Sequence, residues 1–308
     1  MTFKYLKIIF CLIPAVVALI SISQAAEGSS ANAPVRFDGD KFSEMKAMEA
    51  FFLNAQVKQE DETLSIIAPN IDFSAVFSKW DNEQYCSAGD IKKYSLLSEG
   101  QYNTFLSGLA WKNDIRSWET LPFTVQGREK VYQVTQSHTC SARSCYAIIG
   151  VLLWAKNKTG WRLEAAVPCL TGMGEDGGCH AKVDVVQIGP TSHGIIFEDS
   201  YDDLEIAQLV VIDEQGRPRV AFNEDVGDGN IDISPVIADR IPPSLRYKYT
   251  STISFKPGKN KAYWDMIVHY QGTRLKDMDG PYDKNQVIPY NTKKRLVFVN
   301  GRYIRRKK

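Results

Sequence analysis

The residues best suited to chemistry are acidic and lie in one short stretch, from Glu198 to Glu205. This stretch reads Glu-Asp-Ser-Tyr-Asp-Asp-Leu-Glu. Cleavage of a glycosidic bond requires two carboxylates held several ångströms apart. Asp202 and Glu205 are therefore the candidate catalytic residues. The alternative interpretation is a solvated, self-repelling loop, because the stretch directly follows the strand-like residues 195–197.

A second group, Asp228, Asn230 and Asp232, places oxygen-bearing side chains at alternate positions of a glycine-containing turn. Calcium loops collect hard oxygen ligands in this way, so these three are the candidate calcium ligands. Ile233 stands where an EF-hand loop that began at Asp228 would have glycine. Because Asp, Asn and Gly also form turns for backbone reasons alone, a plain turn is the alternative.

Motifs for other chemistry are missing from the sequence. It contains no Gly-x-Ser-x-Gly nucleophile turn, no Gly-x-Gly-x-x-Gly and no phosphate loop. A zinc site could be imagined from His138, Cys140, Cys145, Cys179 and His180. However, cysteines that pair as disulfides cannot bind zinc, and no Cys-x-x-Cys occurs. We therefore expect no cofactor, with calcium as the one exception.

The first 25 residues predict export. Lys4 and Lys7 precede the apolar run Ile8–Ile22, and the small residues Ser23 and Ala25 stand at positions −3 and −1 of a cleavage site. The apolar run is shorter than the roughly 20 residues that a membrane span needs. We expect a cleaved signal peptide, a periplasmic or extracellular protein, and no membrane span in the mature chain.

Export changes how the cysteines are interpreted, because close pairs usually form disulfides in an oxidising compartment. Cys140–Cys145 and Cys169–Cys179 are the expected pairs, since the first encloses a short loop and the second a glycine-rich stretch. Four cysteines allow three connectivities. Cys86 is then left over, either as a buried thiol or as a reactive or intermolecular cysteine.

The charges are unevenly distributed. The chain has 37 Lys and Arg against 36 Asp and Glu, a net charge of +1. Residues 175–239 contain 15 acids and 3 bases, whereas residues 240–308 contain 17 bases and 4 acids. The two segments either neutralise each other within the fold, as neighbouring segments tend to pack together, or present opposite faces. One of those faces would then be a docking surface.

The basic C-terminal segment indicates an anionic partner. Its clustered cations are Lys293, Lys294, Arg295, Arg302, Arg305, Arg306, Lys307 and Lys308. For an exported protein the expected partner is an anionic envelope polymer or an acidic protein, and nucleic acid is not expected. The alternative is a frayed, solvated terminus.

Hydrophobic periodicity divides the chain into four parts. These are a signal peptide over 1–25, a flexible tether over 26–40, a mostly helical part over 41–120 and an antiparallel β domain over 121–308. Within the third part, Lys41–Val57 has helical spacing, and Ser98 with Gln101 forms a capping box.

From residue 121 the pattern alternates, and turn signals separate six pairs of strand-like runs, most clearly at Asn300-Gly301. Consecutive hairpins without intervening helices predict an α+β protein. It is mainly antiparallel β (sandwich or open barrel-like sheet) with a small N-terminal helical part.

The composition is that of a globular protein, with 44% hydrophobic and 24% charged residues, which excludes wholesale disorder and a polytopic membrane protein. The missing motifs and the separated charge favour an exported non-catalytic envelope protein that binds a macromolecular partner or inhibits an enzyme. Two alternatives remain open. One is a carboxylate-dependent hydrolase acting on cell-wall or polysaccharide substrate, and the other is a calcium-stabilised surface or adhesion module.

Overall fold

Antiparallel strands dominate the computed structural model of this chain. The structure describes residues 35–51, 58–60, 65–68, 115–138, 147–174, 181–201, 204–213, 216, 218–230, 241–258, 262–278, 280–281 and 284–306. Within these residues the strands form two sheets, and neighbours along the chain are mostly neighbours in space.

The first sheet has seven strands in the spatial order β1-β7-β6-β5-β4-β3-β2. They are β1 (Arg36–Asp38), β2 (Lys58–Glu60), β3 (Ser65–Ala68), β4 (Ile115–Val125), β5 (Arg128–His138), β6 (Ala147–Lys156) and β7 (Gly160–Met173). The helix α1 (Glu44–Phe51) lies between β1 and β2 in the chain.

The second sheet has eight strands in chain order. They are β8 (Lys182–Gln187), β9 (His193–Tyr201), β10 (Leu204–Ile212), β11 (Pro218–Gly229), β12 (Lys248–Lys256), β13 (Asp265–Leu275), β14 (Val287–Val299) and β15 (Arg302–Arg305). A short 3-10 helix, Pro243–Leu245, precedes β12.

The predicted fold class is confirmed, and all six predicted strand pairs are present as antiparallel hairpins. The conformations of the turn residues explain two hairpins that have two-residue loops. Gln126 and Gly127 have φ values of 51° and 75°, and Asn300 and Gly301 have φ values of 51° and 79°. Positive φ at both central residues defines the type I′ turn, whose twist matches that of the paired strands.

The N-terminal segment packs on one face of the first sheet. Its helix α1 buries Ala47, Met48 and Phe51. The Phe37 ring of β1 lies 5.3 Å from the Trp154 ring of β6, in edge contact. Trp154 is fully buried and donates its indole N–H to Gln133 Oε1 at 3.1 Å, so the polar atom of this large core residue is satisfied.

The other face of the first sheet packs on β8–β11. Ile195 and Phe197 of β9 and Val210 of β10 belong to the same buried cluster as the core residues of β4–β7. The Trp118 ring of β4 stacks on the Phe197 ring, with centroids 6.4 Å apart. Burial of these side chains is the main favourable contribution to this contact between the sheets.

Strands β8–β11 are covered on their second face as well. Ile196 and Leu209 belong to a second buried cluster together with Val268 of β13 and Leu296 of β14. β11 pairs with β12 through its last two residues, 228–229, and the second sheet folds back on itself there. Strands β8–β11 are thus a middle layer, and strands β12–β15 are an outer layer.

Strands also occur where the sequence predicted a tether and helices. β1 lies within 26–40, and β2, β3 and the start of β4 lie within 41–120. β4 begins at Ile115 because Ile115 and Ser117 alternate with less buried neighbours, a two-residue period that already starts before residue 121. α1 covers eight residues of the predicted helix 41–57, and the capping box at Ser98 lies outside the described residues.

Candidate functional site

The candidate catalytic acids are only partly described. Glu205 is the second residue of β10 and is half-buried, and Asp202 lies outside the described residues. Asp199, which is buried, follows Phe197 on the face of β9 toward the first sheet. Glu205 precedes Ala207 on the opposite face, toward β12–β15. Asp199 and Glu205 therefore form no catalytic pair, and a hydrolase that uses Asp202 stays a prediction.

Asp228 and Asn230, two of the candidate calcium ligands, fasten the end of β11 to the start of β12. Asn230 Oδ1 accepts a hydrogen bond from the Tyr247 backbone N–H at 2.8 Å, and Asn230 Nδ2 donates to the Leu245 carbonyl at 3.0 Å. Asp228 Oδ2 accepts from the Tyr247 hydroxyl at 3.0 Å. These bonds give the buried Asn230 a structural role. Asp232 lies outside the described residues, so the calcium site stays a prediction.

Most of the cysteines also lie outside the described residues. Cys169 is in β7, whereas Cys86, Cys140, Cys145 and Cys179 fall in the gaps, so both disulfides stay predictions. In the described part of the chain, no three His, Cys, Asp or Glu side chains group closely enough to hold a metal ion. That part also contains no helix with the length and apolar character needed to cross a membrane.

The acidic and basic segments meet at the second core. Lys294 Nζ lies 3.1 Å from Glu224 Oε2 and 4.7 Å from the centroid of the Tyr270 ring. Burial alone would lower the pKa of Lys294, but its hydrogen bonds to Tyr270 and Glu224 outweigh burial and raise the pKa above its ordinary value. The ion pairs Arg219–Asp213 and Arg295–Asp265 each stay within one segment. Within the described residues, neutralisation between the segments therefore accounts for Lys294 and not for Lys256, Lys293 and Arg302.

Alternate residues of β12–β15 point away from the second core and form an exposed surface, which we call the outer face. The strand register aligns three rows of these residues across β12, β13 and β14: Thr250, Gln271 and Asn291; Thr252, His269 and Lys293; Ser254, Ile267 and Arg295. Lys256 extends the outer face at the end of β12, and Arg302 extends it on β15, opposite Val299.

The outer face is positively charged. Lys256, Lys293 and Arg302 are exposed, and none of them forms an ion pair with another described residue. Asp265, at the edge of this surface, is already bound by Arg295, whose Nε donates to Asp265 Oδ2 at 2.6 Å. Lys256 stands opposite Asp265 in the strand register and shares that one carboxylate with Arg295. Lys293 and Arg302 stand opposite His269 and Val299, so neither has an acidic residue across from it.

Uncharged hydrogen-bonding groups lie beside Lys293, whereas the exposed apolar side chains of Val299 and Ile304 lie beside Arg302. The His269 ring nitrogen Nε2 lies 2.9 Å from Asn291 Oδ1, a diagonal contact that holds both side chains in place. Thr250, Thr252 and Gln271 add exposed hydroxyl and amide groups beside them. This surface can bind a partner through both charge and hydrogen bonds.

Sequence analysis found the cations Lys293 and Arg302 but missed the polar residues beside Lys293. A usable signal was present. Lys248–Lys256 alternates polar and apolar residues everywhere except at Ser251, and this alternation predicts a strand with one exposed face. His193 was also missed. It begins β9 and lies in a cleft between the first sheet and the second, and no local motif distinguishes it.

No protein-family model, curated protein or solved structure matches this chain. Its function therefore has to be inferred from the chemistry of its own surfaces.

Proposed function

We propose that this chain is an exported, non-catalytic envelope protein that binds an anionic polymer on its outer face. Three cations carry the proposal: Lys256, Lys293 and Arg302 are exposed on the outer face without ion-pair partners among the described residues. The apolar run and small residues of the first 25 positions support export.

The strand geometry spaces the binding groups for a repeating ligand. Alternate residues of a strand are about 6.7 Å apart, and neighbouring strands are about 4.8 Å apart. Lys293 and Arg302 lie on the adjacent strands β14 and β15, and Lys256 lies two strands away on β12. An extended chain that carries one negative charge per sugar unit would contact several of these cations at once. Because each contact is exposed, the attraction must weaken as salt increases.

The choice of a polysaccharide over an acidic protein rests on the uncharged residues. Protein interfaces depend on buried aromatic anchors, and the outer face as described has no Phe, Tyr or Trp. It presents instead the hydroxyl groups of Thr250 and Thr252 and the amide groups of Gln271 and Asn291. Such groups complement the hydroxyl groups of a sugar chain. The proposed ligand is therefore a polyuronate-like or similarly anionic polysaccharide.

The experiment compares one triple variant with a matched control. Lys256→Ala, Lys293→Ala and Arg302→Ala together remove the three proposed binding cations and leave Arg295, which is paired with Asp265, in place. The control removes three other cations from the first sheet region: Arg36, Lys158 and Arg162, all exposed. Binding to polygalacturonate, polyglutamate and neutral dextran is measured at about 20 mM and about 300 mM salt, concentrations that bracket the range over which exposed charges become screened.

We expect polygalacturonate to bind the wild type at low salt and to be released at high salt. Three exposed ion contacts of about 0.2–1 kcal/mol each correspond to roughly tenfold in affinity, so the triple variant should bind about tenfold more weakly. The control variant should bind like the wild type. Equal binding by the triple variant would contradict the proposal. Binding of polyglutamate in preference to polygalacturonate would assign the surface to an acidic protein instead.

A further inference from the structure

A cleft separate from the outer face lies between the first sheet and the middle layer. Its volume is about 230 Å³. One wall consists of residues from β4–β7, and the other comes from the β8–β9 turn, the end of β10 and Tyr263. The volume is below the roughly 300–1,000 Å³ of pockets for drug-sized molecules, so its ligand must be small.

Aromatic rings line one side of the cleft. The Phe123 and Tyr132 rings are stacked, with centroids 4.8 Å apart and planes at 10°. The His193 ring lies 5.2 Å from the Phe123 ring. Tyr132 is held in place because it is buried and its hydroxyl donates to the His193 carbonyl at 3.2 Å. An aromatic ligand ring in the cleft would therefore pack against aromatic side chains that are already held in position.

A positive charge lies in the same cleft. Lys130 Nζ donates to Glu164 Oε2 at 2.7 Å, and Arg128 contacts the other oxygen of Glu164 at 3.0 Å. Two cations thus share one carboxylate, which leaves one positive charge in excess. A lysine ammonium group has three N–H donors, so Lys130 can bind a second anionic oxygen while it holds Glu164.

His193 supplies a polar atom that lacks a partner. Its Nδ1 is buried and forms no hydrogen bond within the described structure. Burial, together with the charge of Lys130, lowers the pKa of His193, so the ring is neutral at neutral pH. A buried polar atom without a partner is unfavourable, and a ligand hydroxyl group would satisfy it.

We infer that this cleft binds a small aromatic carboxylate. The ring packs beside Phe123 and Tyr132, the carboxylate contacts Lys130, and a ring hydroxyl group pairs with His193 Nδ1. This site is independent of the proposed polymer binding, since none of its residues belongs to the outer face.

The test measures binding of 4-hydroxybenzoate by calorimetry, with benzoate, 4-hydroxybenzamide and cyclohexanecarboxylate as comparisons. Lys130→Met removes the cation and leaves Glu164 paired with Arg128. Lys156→Met is the matched control, because Lys156 also pairs with a glutamate, Glu129, but does not line the cleft. Thr191→Trp, at an exposed position on the rim, narrows the entrance without touching the core.

We expect 4-hydroxybenzoate to bind most tightly, and Lys130→Met to weaken its binding by about tenfold or more. The amide and the non-aromatic acid should bind the wild type more weakly, and Lys156→Met should have no effect. Thr191→Trp should abolish binding and leave the melting temperature unchanged. The inference is overturned if no probe binds the wild type, or if binding survives both Lys130→Met and Thr191→Trp unchanged.

Discussion

The two halves of the second sheet have the same hairpin topology but different surroundings. In β10, of the middle layer, residues 207–211 are all buried, because the first sheet covers one face and the outer layer covers the other. In β12, of the outer layer, exposed and half-buried residues alternate along the whole strand. The same sheet thus contains a strand that is core on both faces, β10, and a strand that is core on a single face, β12.

The placement of charge follows from this difference. In β10 the charged residue Glu205 stands near the start of the strand, and residues 206–212 carry no charge. In β14 the cations Lys293, Lys294 and Arg295 lie in the middle of the strand. A charge in the middle of a strand is tolerated there because one face meets water, whereas the inward Lys294 needs Glu224 and the Tyr270 ring. The outer layer can therefore present charged residues along the middle of its strands, which β10 cannot.

Phe197→Ala should produce the largest effect in this comparison. Phe197 is fully buried in the middle layer, so its truncation should cost about 3–5 kcal/mol of unfolding free energy. Thr252→Ala on the outer face is the control, and its cost should stay within about 0.5 kcal/mol. Urea unfolding of the two variants measures both values. Similar losses at the two positions would mean that the halves do not differ in burial as described.

The two described histidines of the second sheet allow a finer comparison by pH. The lowered pKa of His193 means that the unfolded state binds more protons than the folded state between that pKa and 6.5. The stability that depends on neutral His193 is therefore present above pH 6.5 and is lost as the pH falls through the lowered pKa. The wild type should lose more stability than His193→Gln between about pH 7.5 and about pH 5.

His269→Gln serves as the control for this pH comparison, because His269 lies on the outer face and not in the cleft. Unfolding free energies of the wild type and of both variants at the two pH values provide the measurement. If His193→Gln lost as much unfolding free energy in acid as the wild type, His193 would not be the cause of the pH dependence.

Individual hairpins were predictable from the sequence, but the way the strands pair and stack into layers was not. The Asn300-Gly301 turn depends on φ angles that these two residues adopt readily, so the hairpin they form is visible in the sequence. The outer face instead places Thr250 and Asn291 in one row, on either side of Gln271. They come together only because β13 pairs with both of their strands. No local pattern encodes that register.

Asn230 illustrates the same limit. Its spacing from Asp228 and Asp232 is typical of a calcium loop, but its amide bonds Leu245 and Tyr247, which lie 15 and 17 residues further along the chain. The sequence pattern could not distinguish a ligand for a metal ion from a link between two strands. His193 was missed for a related reason, because the cleft that surrounds it is assembled from both sheets.

Lysine footprinting tests the central claim most directly, because it locates the bound polymer on the protein surface. The protein is acetylated briefly with and without saturating polygalacturonate, and the modification of each lysine is read by mass spectrometry. The account predicts that Lys256 and Lys293 are protected by the polymer, while Lys158, exposed in the turn between β6 and β7, is modified equally in both samples. Protection of Lys158 together with unchanged modification of Lys256 and Lys293 would contradict it.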